Sequence, residues 1–131
     1  MSKTKTLLIL LGDIVSLYGA LALTLLFRYE FSYFQAAFIV HLKPFSLIFI
    51  VWILVFYLAD LYQNKTLKDK FALARSFLPA LIINAVVSII FFYLFTPVFQ
   101  LTPKTNLLIF AVIFGILDFG WRMLIIRIFI K

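Results

Sequence analysis

Four long runs of apolar side chains set the limits on what this 131-residue chain can fold into. They extend from Leu7 to Phe27, from Phe45 to Tyr62, from Phe77 to Phe95 and from Leu107 to Ile126. Each is about 20 residues long, the length that an α-helix needs to cross a bilayer core of ~30 Å. Inside lipid a helix satisfies every backbone amide, and the alternating polarity of a membrane barrel is missing. The sequence therefore predicts an all-α integral membrane protein, a four-helix transmembrane bundle that forms a single domain over residues 1–131.

The composition agrees with a membrane protein and excludes most site chemistry. Hydrophobic residues make up 66% and charged residues 13%, against about 45–50% and about 25% in soluble domains. There is no cysteine and only one histidine, His41, which excludes thiolate zinc sites, paired-histidine sites and cysteine nucleophiles. The four glycines fit neither a phosphate loop nor a dinucleotide fingerprint. We therefore predict no catalytic, cofactor-binding or metal-binding residue in this segment.

Lysine and arginine are unevenly shared between the two ends of the predicted helices. The side that carries both termini has nine of them and the other side three. By the positive-inside rule, this predicts a multi-pass protein of the inner (cytoplasmic) membrane with both termini in the cytoplasm. Because the basic residues cluster at helix ends and not on one soluble face, nucleic acid is not an expected partner.

Two connections have the composition of membrane-interface segments. The stretch from Phe31 to Leu42 is aromatic and nearly uncharged, and we expect it at the outer interface before a helix that starts near Pro44. The other connection is a basic loop at the inner leaflet, formed by Lys65, Lys68, Lys70 and Arg75. It fits two interpretations, a short amphipathic helix on anionic lipid or an ordinary positive-inside loop. Pro79 is expected in the first turn of the third helix.

Charged residues within the apolar runs need partners, because an isolated charge in the membrane is expensive. Asp13 lies near the start of the first run, and Asp118 and Arg122 lie near the end of the fourth. Asp118 and Arg122 are spaced i, i+4 and share a helix face. We therefore predict an intramembrane cluster of Asp13, Asp118 and Arg122 that joins the first and fourth helices. Contact between Arg122 and a lipid phosphate is the alternative.

Small residues recur at helical spacing and predict close packing between helices. On the first helix they are Gly12, Ser16, Ala20 and Thr24, and on the fourth they are Ala111 and Gly115. Because both stripes flank the predicted charge cluster, we expect them to bring the first and fourth helices together. Asn84 and Ser88 are expected to form hydrogen bonds between helices.

Three stretches resemble the N-terminal membrane domain of bacterial polyprenyl-phosphate hexose-1-phosphate transferases, which begin exopolysaccharide and O-antigen assembly. Gly12–Asp13–Ile14 through Leu26–Phe27–Arg28–Tyr29 is similar to the family's opening helix. Trp52 through Leu61–Tyr62 is similar to its second helix, which often ends in a Gly-Leu-Tyr motif, although Ala59–Asp60 stands here in place of the glycine. Thr102–Pro103–Lys104 through Trp121–Arg122 is similar to its fourth helix, which closes in an arginine.

The resemblance implies a function that this segment does not perform alone. In the family, a cytoplasmic catalytic domain with an Asp–Glu pair and magnesium transfers a sugar phosphate to undecaprenyl phosphate. None of those catalytic parts is found within the 131 residues, so the chain is expected to be a fragment or a stand-alone homologue. The implied partners are membrane lipids, among them undecaprenyl phosphate, a cytoplasmic transferase domain, and a second copy of the chain.

Two other functions fit a bundle of this length. One is a small four-helix transporter or a flippase of lipid-linked sugars, in which Asp13 serves as a proton-coupled carboxylate. The charge bias and the charges of the fourth helix argue against this interpretation. The other is a non-enzymatic membrane anchor that binds partner helices, for which few polar groups are needed.

Overall fold

The computed structural model describes residues 3–28, 31–62, 70–94 and 104–129. These ranges contain four α-helices: α1 (Lys3–Arg28), α2 (Phe31–Leu58), α3 (Lys70–Leu94) and α4 (Lys104–Phe129). All four are long and apolar enough to cross a membrane. The prediction of an all-helical, multi-pass membrane fold is confirmed at this level.

The helices pack in a closed ring. α1 packs against α2 and α4, and α3 packs against the same two helices, with the most extensive contact between α1 and α4. Asp13, near the start of α1, contacts Arg122, near the end of α4. The N-terminal end of α1 and the C-terminal end of α4 therefore lie at the same end of the bundle.

Aromatic side chains fill the centre of the ring. Phe45, Phe49, Trp52 and Phe56 follow one seam of α2 at alternating spacings of four and three residues, and all are buried. The Phe110 ring of α4 lies with its centroid 5.5 Å from that of Phe49 and 5.2 Å from that of Trp52. These distances are typical of attractive aromatic pairs. Because lipid tails are as apolar as a protein core, such close packing is what holds helices together in a membrane.

Hydrogen bonds tie the aromatic core to α3. Trp52 Nε1 donates to Ser88 Oγ at 2.7 Å, and Asn84 Nδ2 donates to the Trp52 carbonyl oxygen at 3.4 Å. The side chains of Asn84 and Ser88 are wholly buried. The predicted interhelical role of Asn84 and Ser88 is therefore confirmed.

The predicted start of the second helix, near Pro44, is wrong. α2 begins at Phe31, so the stretch expected at the interface is the first part of the same helix, and Pro44 lies inside it. No residue between Phe31 and Leu42 breaks a helix, and membrane helices tolerate an internal proline because neighbouring groups satisfy the freed carbonyl. The helix also ends at Leu58 and not at Tyr62.

The predicted start of the third helix is also wrong. α3 begins at Lys70, so Lys70 and Arg75 belong to its first turns, and Pro79 lies well inside it. In the first two turns of α3, Leu73 is buried and Phe71 is exposed. The buried face of α3 therefore begins at Leu73, before the predicted start of the helix. Lys65 and Lys68 lie outside the described residues, so the rest of the basic loop keeps both of its interpretations.

Glycine is required at position 12 of α1, where a side chain of α4 lies against the backbone. A Cβ atom at Gly12 would overlap the indole ring of Trp121, whereas one at Gly19, two turns along α1, would meet no atom within 4 Å. The indole of Trp121 therefore lies directly on the backbone of α1.

We expect Gly12→Ala to destabilise the bundle by about 1–3 kcal/mol, the usual cost of overpacking, because Trp121 must move away from α1. Gly19→Ala is the matched control, and it should leave stability unchanged or slightly raised since alanine favours a helix. Thermal unfolding in detergent measures both. Equal melting temperatures for the two variants would contradict this packing.

Candidate functional site

The guanidinium of Arg122 is the centre of a buried polar cluster. Its Nε donates to Asp13 Oδ1 and to Asp118 Oδ2, each at 3.2 Å. Its Nη2 donates to Asp13 Oδ2 at 2.7 Å, and its Nη1 donates to the carbonyl oxygen of Leu61 at 2.5 Å. The structure thus brings together the three charged residues that the sequence singled out, and Asp13 binds the guanidinium through both of its oxygens.

All three charged side chains are removed from the surface. Asp13, Asp118 and Arg122 each have a relative exposure of 0%. The arginine also stacks on aromatic rings, with its Cζ 5.3 Å from the ring centroid of Phe56 and 5.1 Å from that of Tyr62, within the range of a cation–π contact. Because the guanidinium is wholly buried, a lipid phosphate reaches it only if the helices separate.

The turn after α2 supplies two groups that the sequence did not predict. Leu61 N donates to Phe56 O at 3.0 Å and Asp60 N donates to Tyr57 O at 3.1 Å, the two bonds of a Schellman helix end. Asp60 takes the left-handed conformation with φ of 63°. This turn directs the Leu61 carbonyl and the Tyr62 ring back toward α1 and α4.

Tyr62 completes the coordination of Asp13. Its hydroxyl donates to Asp13 Oδ2 at 2.5 Å, so this carboxylate accepts three hydrogen bonds. Burial raises the pKa of Tyr62, and the negative charge of Asp13, a smaller cause, raises it further. The phenol therefore remains a donor throughout the physiological range. The signal for this role was present in the sequence, since Tyr62 is the last residue of the second apolar run, but that position fits an interfacial anchor equally well.

The glycines of the two small-residue stripes contact different helices. Ser16 and Ala20 are buried on α1, and Gly12 contacts Trp121 of α4. On α4, however, a Cβ at Gly115 would lie 2.9 Å from Leu81 Cδ2 of α3, while Ala111 is buried nearby. Gly115 therefore permits close packing with α3, so the expected contact with the opposite stripe is shown for Gly12 of α1 but not for Gly115 of α4.

The contacts of the cluster suit a structural role, in which Arg122 holds α1, α4 and the end of α2 together. We call this arrangement the clamp. Among the residues that the structure describes, no group of three or more histidine, cysteine or carboxylate side chains is placed to hold a metal ion. The surface grooves beside the cluster are lined mainly by apolar side chains. The donors of Arg122 instead connect α1, α4 and the end of α2.

Comparisons with protein-family models, with curated proteins and with solved structures gave no match.

We expect Arg122→Gln to be the most damaging substitution in the cluster, lowering stability by about 3–5 kcal/mol, because it leaves two buried carboxyl groups without a cation. Asp13→Asn should also lower the melting temperature, since the guanidinium loses its bidentate partner. The matched control is Arg127→Gln, five residues along α4 at an exposed position. If neither Arg122→Gln nor Asp13→Asn melts below the parent in detergent, the clamp is refuted.

We expect Tyr62→Phe to lower stability by about 1.5–3 kcal/mol, the usual value for a hydrogen bond to a charged group. Tyr57→Phe is the control because Tyr57 is 63% exposed. A raised pKa in the folded state means that the contribution of Tyr62 is present below pH ~10, where the unfolded phenol is neutral, and is lost as the pH rises further. Melting curves should therefore show the gap between the parent and Tyr62→Phe narrowing above pH ~10. A constant gap would argue against the bond to Asp13.

Proposed function

We propose that the chain is the membrane module of an undecaprenyl-phosphate sugar-phosphate transferase in bacterial glycoconjugate biosynthesis, and that it is not catalytic by itself. In this proposal, catalysis and magnesium binding belong to a cytoplasmic domain that acts together with the module. The module holds that domain at the inner membrane, where the lipid substrate resides.

The observation that carries this proposal is the convergence of the three stretches that resemble the family. Gly12–Asp13 of the first stretch, Leu61–Tyr62 of the second and Trp121–Arg122 of the third all meet at one cluster. Charge pairing accounts for the meeting of Asp13 and Arg122, but it does not require that the Leu61–Tyr62 motif of the second stretch join the same cluster. Their meeting supports a common origin with the family's membrane domain.

The turn after α2 adds a second argument. Asp60 stands where the family has the glycine of its Gly-Leu-Tyr motif, and its φ is 63°. Glycine adopts that conformation without strain, and aspartate is one of the few other residues that tolerate it. The substitution therefore preserves the turn that delivers the Leu61 carbonyl and the Tyr62 hydroxyl to the cluster.

The position of the cluster suits a module that carries a cytoplasmic domain. It joins α1, α4 and the end of α2 at the end of the bundle where α1 begins and α4 ends. The excess of lysine and arginine at that end favours a cytoplasmic orientation. A clamp there would give the last helix a defined position relative to the first, and so would orient whatever follows α4.

The transporter alternative receives less support. Proton-coupled transport through Asp13 needs a carboxylate that reaches an aqueous pathway. In the described structure both oxygens of Asp13 accept hydrogen bonds from Arg122 or Tyr62, and the side chain is wholly buried.

The test is to isolate the native protein and assay it. An antiserum against the first residues of the chain precipitates the product from detergent-solubilised bacterial membranes. The precipitate is incubated with magnesium, undecaprenyl phosphate and a panel of radiolabelled nucleotide hexoses. We expect release of nucleoside monophosphate and transfer of label to the organic phase, both dependent on undecaprenyl phosphate. An Arg122→Gln strain should show several-fold less activity per cell than an Arg127→Gln strain.

The size of the native product and the assay together decide between the proposals. An active band well above 15.2 kDa, or an active partner that coprecipitates, supports the transferase module. A 15 kDa product that lacks transferase activity overturns it in favour of an anchor. If reconstituted protein moves a fluorescent lipid-linked sugar across proteoliposomes and Asp13→Asn does not, the flippase alternative replaces it.

A further inference from the structure

The buried cluster has an unbalanced charge. Asp13 and Asp118 are two carboxyl groups, Arg122 is a single cation, and all three are 0% exposed. If both carboxyl groups were ionised, the bundle would enclose a net negative charge. An uncompensated charge in a low-dielectric interior is strongly unfavourable, and a carboxyl group in that position takes up a proton instead.

Charged groups from the neighbouring helices do not remove the imbalance within the described structure. α1 contributes Asp13, α4 contributes Asp118 and Arg122, and the turn after α2 contributes the phenol of Tyr62, which is neutral. α3, which packs against α4, places Phe77 in this region, 5.6 Å from the ring of Phe119. The described surroundings of the two carboxyl groups therefore hold a single cation.

The two carboxyl groups are held in different ways. Asp13 accepts three hydrogen bonds from Arg122 and Tyr62, as expected of an ionised carboxylate. From the described residues Asp118 receives only one hydrogen bond, from the Arg122 Nε that also donates to Asp13. Its length of 3.2 Å is greater than is usual for a charged pair. Its Oδ1 is buried and receives no hydrogen bond from any described donor.

The two carboxyl groups are also neighbours. Both accept a hydrogen bond from the same guanidinium nitrogen, Arg122 Nε, each at 3.2 Å, so an oxygen of each carboxyl group lies beside that one atom. Two ionised carboxylates placed this way repel each other and cannot form a hydrogen bond, because neither has a proton to donate. A single proton on one of them supplies the missing donor and neutralises the cluster.

We propose that the cluster is a proton-binding site in which Asp118 is protonated at neutral pH and donates to the carboxylate of Asp13. The bound state is then neutral: protonated Asp118, ionised Asp13 and cationic Arg122. The proton comes from water, and no other reactant is needed. This site is independent of the transferase proposal, because it follows from the charges and contacts alone.

Infrared spectroscopy of the detergent-solubilised chain tests the site directly. A protonated carboxyl group gives a carbonyl stretching band that an ionised carboxylate lacks, and at pH 7 exposed carboxyl groups are ionised. We expect the parent to show this band at pH 7, and we expect the band to shift when aspartate carries ¹³C at its side-chain carboxyl. The isotope experiment needs no substitution, so it gives a result even if a variant fails to fold.

Three variants then locate the proton. Asp118→Asn should abolish the band, and so should Asp13→Asn, because removal of either carboxyl group leaves one negative charge for one arginine. Asp60→Asn, in the turn after α2, is the control that keeps it. The amide band of the same spectra reports whether each variant remains helical.

Stability gives a second readout that distinguishes the two aspartates. Asparagine resembles a neutral carboxyl group, so Asp118→Asn should melt within about 3 °C of the parent, while Asp13→Asn should melt at least about 5 °C lower. A parent without a protonated-carboxyl band at pH 7 overturns the proposal. A band that survives in Asp118→Asn or in Asp13→Asn also overturns it.

Discussion

A buried arginine is the constraint on which the rest of this bundle depends. A guanidinium is always charged, so the membrane interior admits Arg122 only if other groups surround it. Those groups come from separate parts of the chain: Asp13 of α1, Asp118 of the same helix α4, and the Leu61 carbonyl after α2. Satisfying one side chain therefore brings three helices together at one end of the molecule.

Away from that end, close packing of side chains holds the helices together. The aromatic seam of α2 packs on Phe110 and Phe114 of α4, and the hydrogen bond from Trp52 to Ser88 ties it to α3. Lipid solvates apolar side chains as well as a protein core does, so these contacts stabilise the bundle through close packing and not through escape from water. The contact between the Trp121 indole of α4 and the α1 backbone at Gly12 is one example.

Both proposals concern the cluster of Asp13, Asp118 and Arg122, one its structural role and the other its charge. The transferase module treats it as a clamp that orients the last helix, and it draws support from the three family-like stretches that meet there. The proton site concerns the charge state of that clamp. A clamp with one proton is neutral and suits a static structural role, whereas transport would need the proton to exchange with water.

The sequence by itself determined the number and type of the helices, because runs of about 20 apolar residues in lipid leave the backbone no alternative. It also indicated that Asp13, Asp118 and Arg122 need one another, because unpaired charge at that depth is costly. The limits of α2 and α3 were decided by the tertiary structure, since Pro44 and Pro79 are compatible with both a helix start and a helix interior. The tertiary structure also decided the part that Tyr62 and the Leu61 carbonyl play in the cluster. Their positions depend on the left-handed turn at Asp60 and on how α2 lies against α1 and α4. Neither is a property of local sequence.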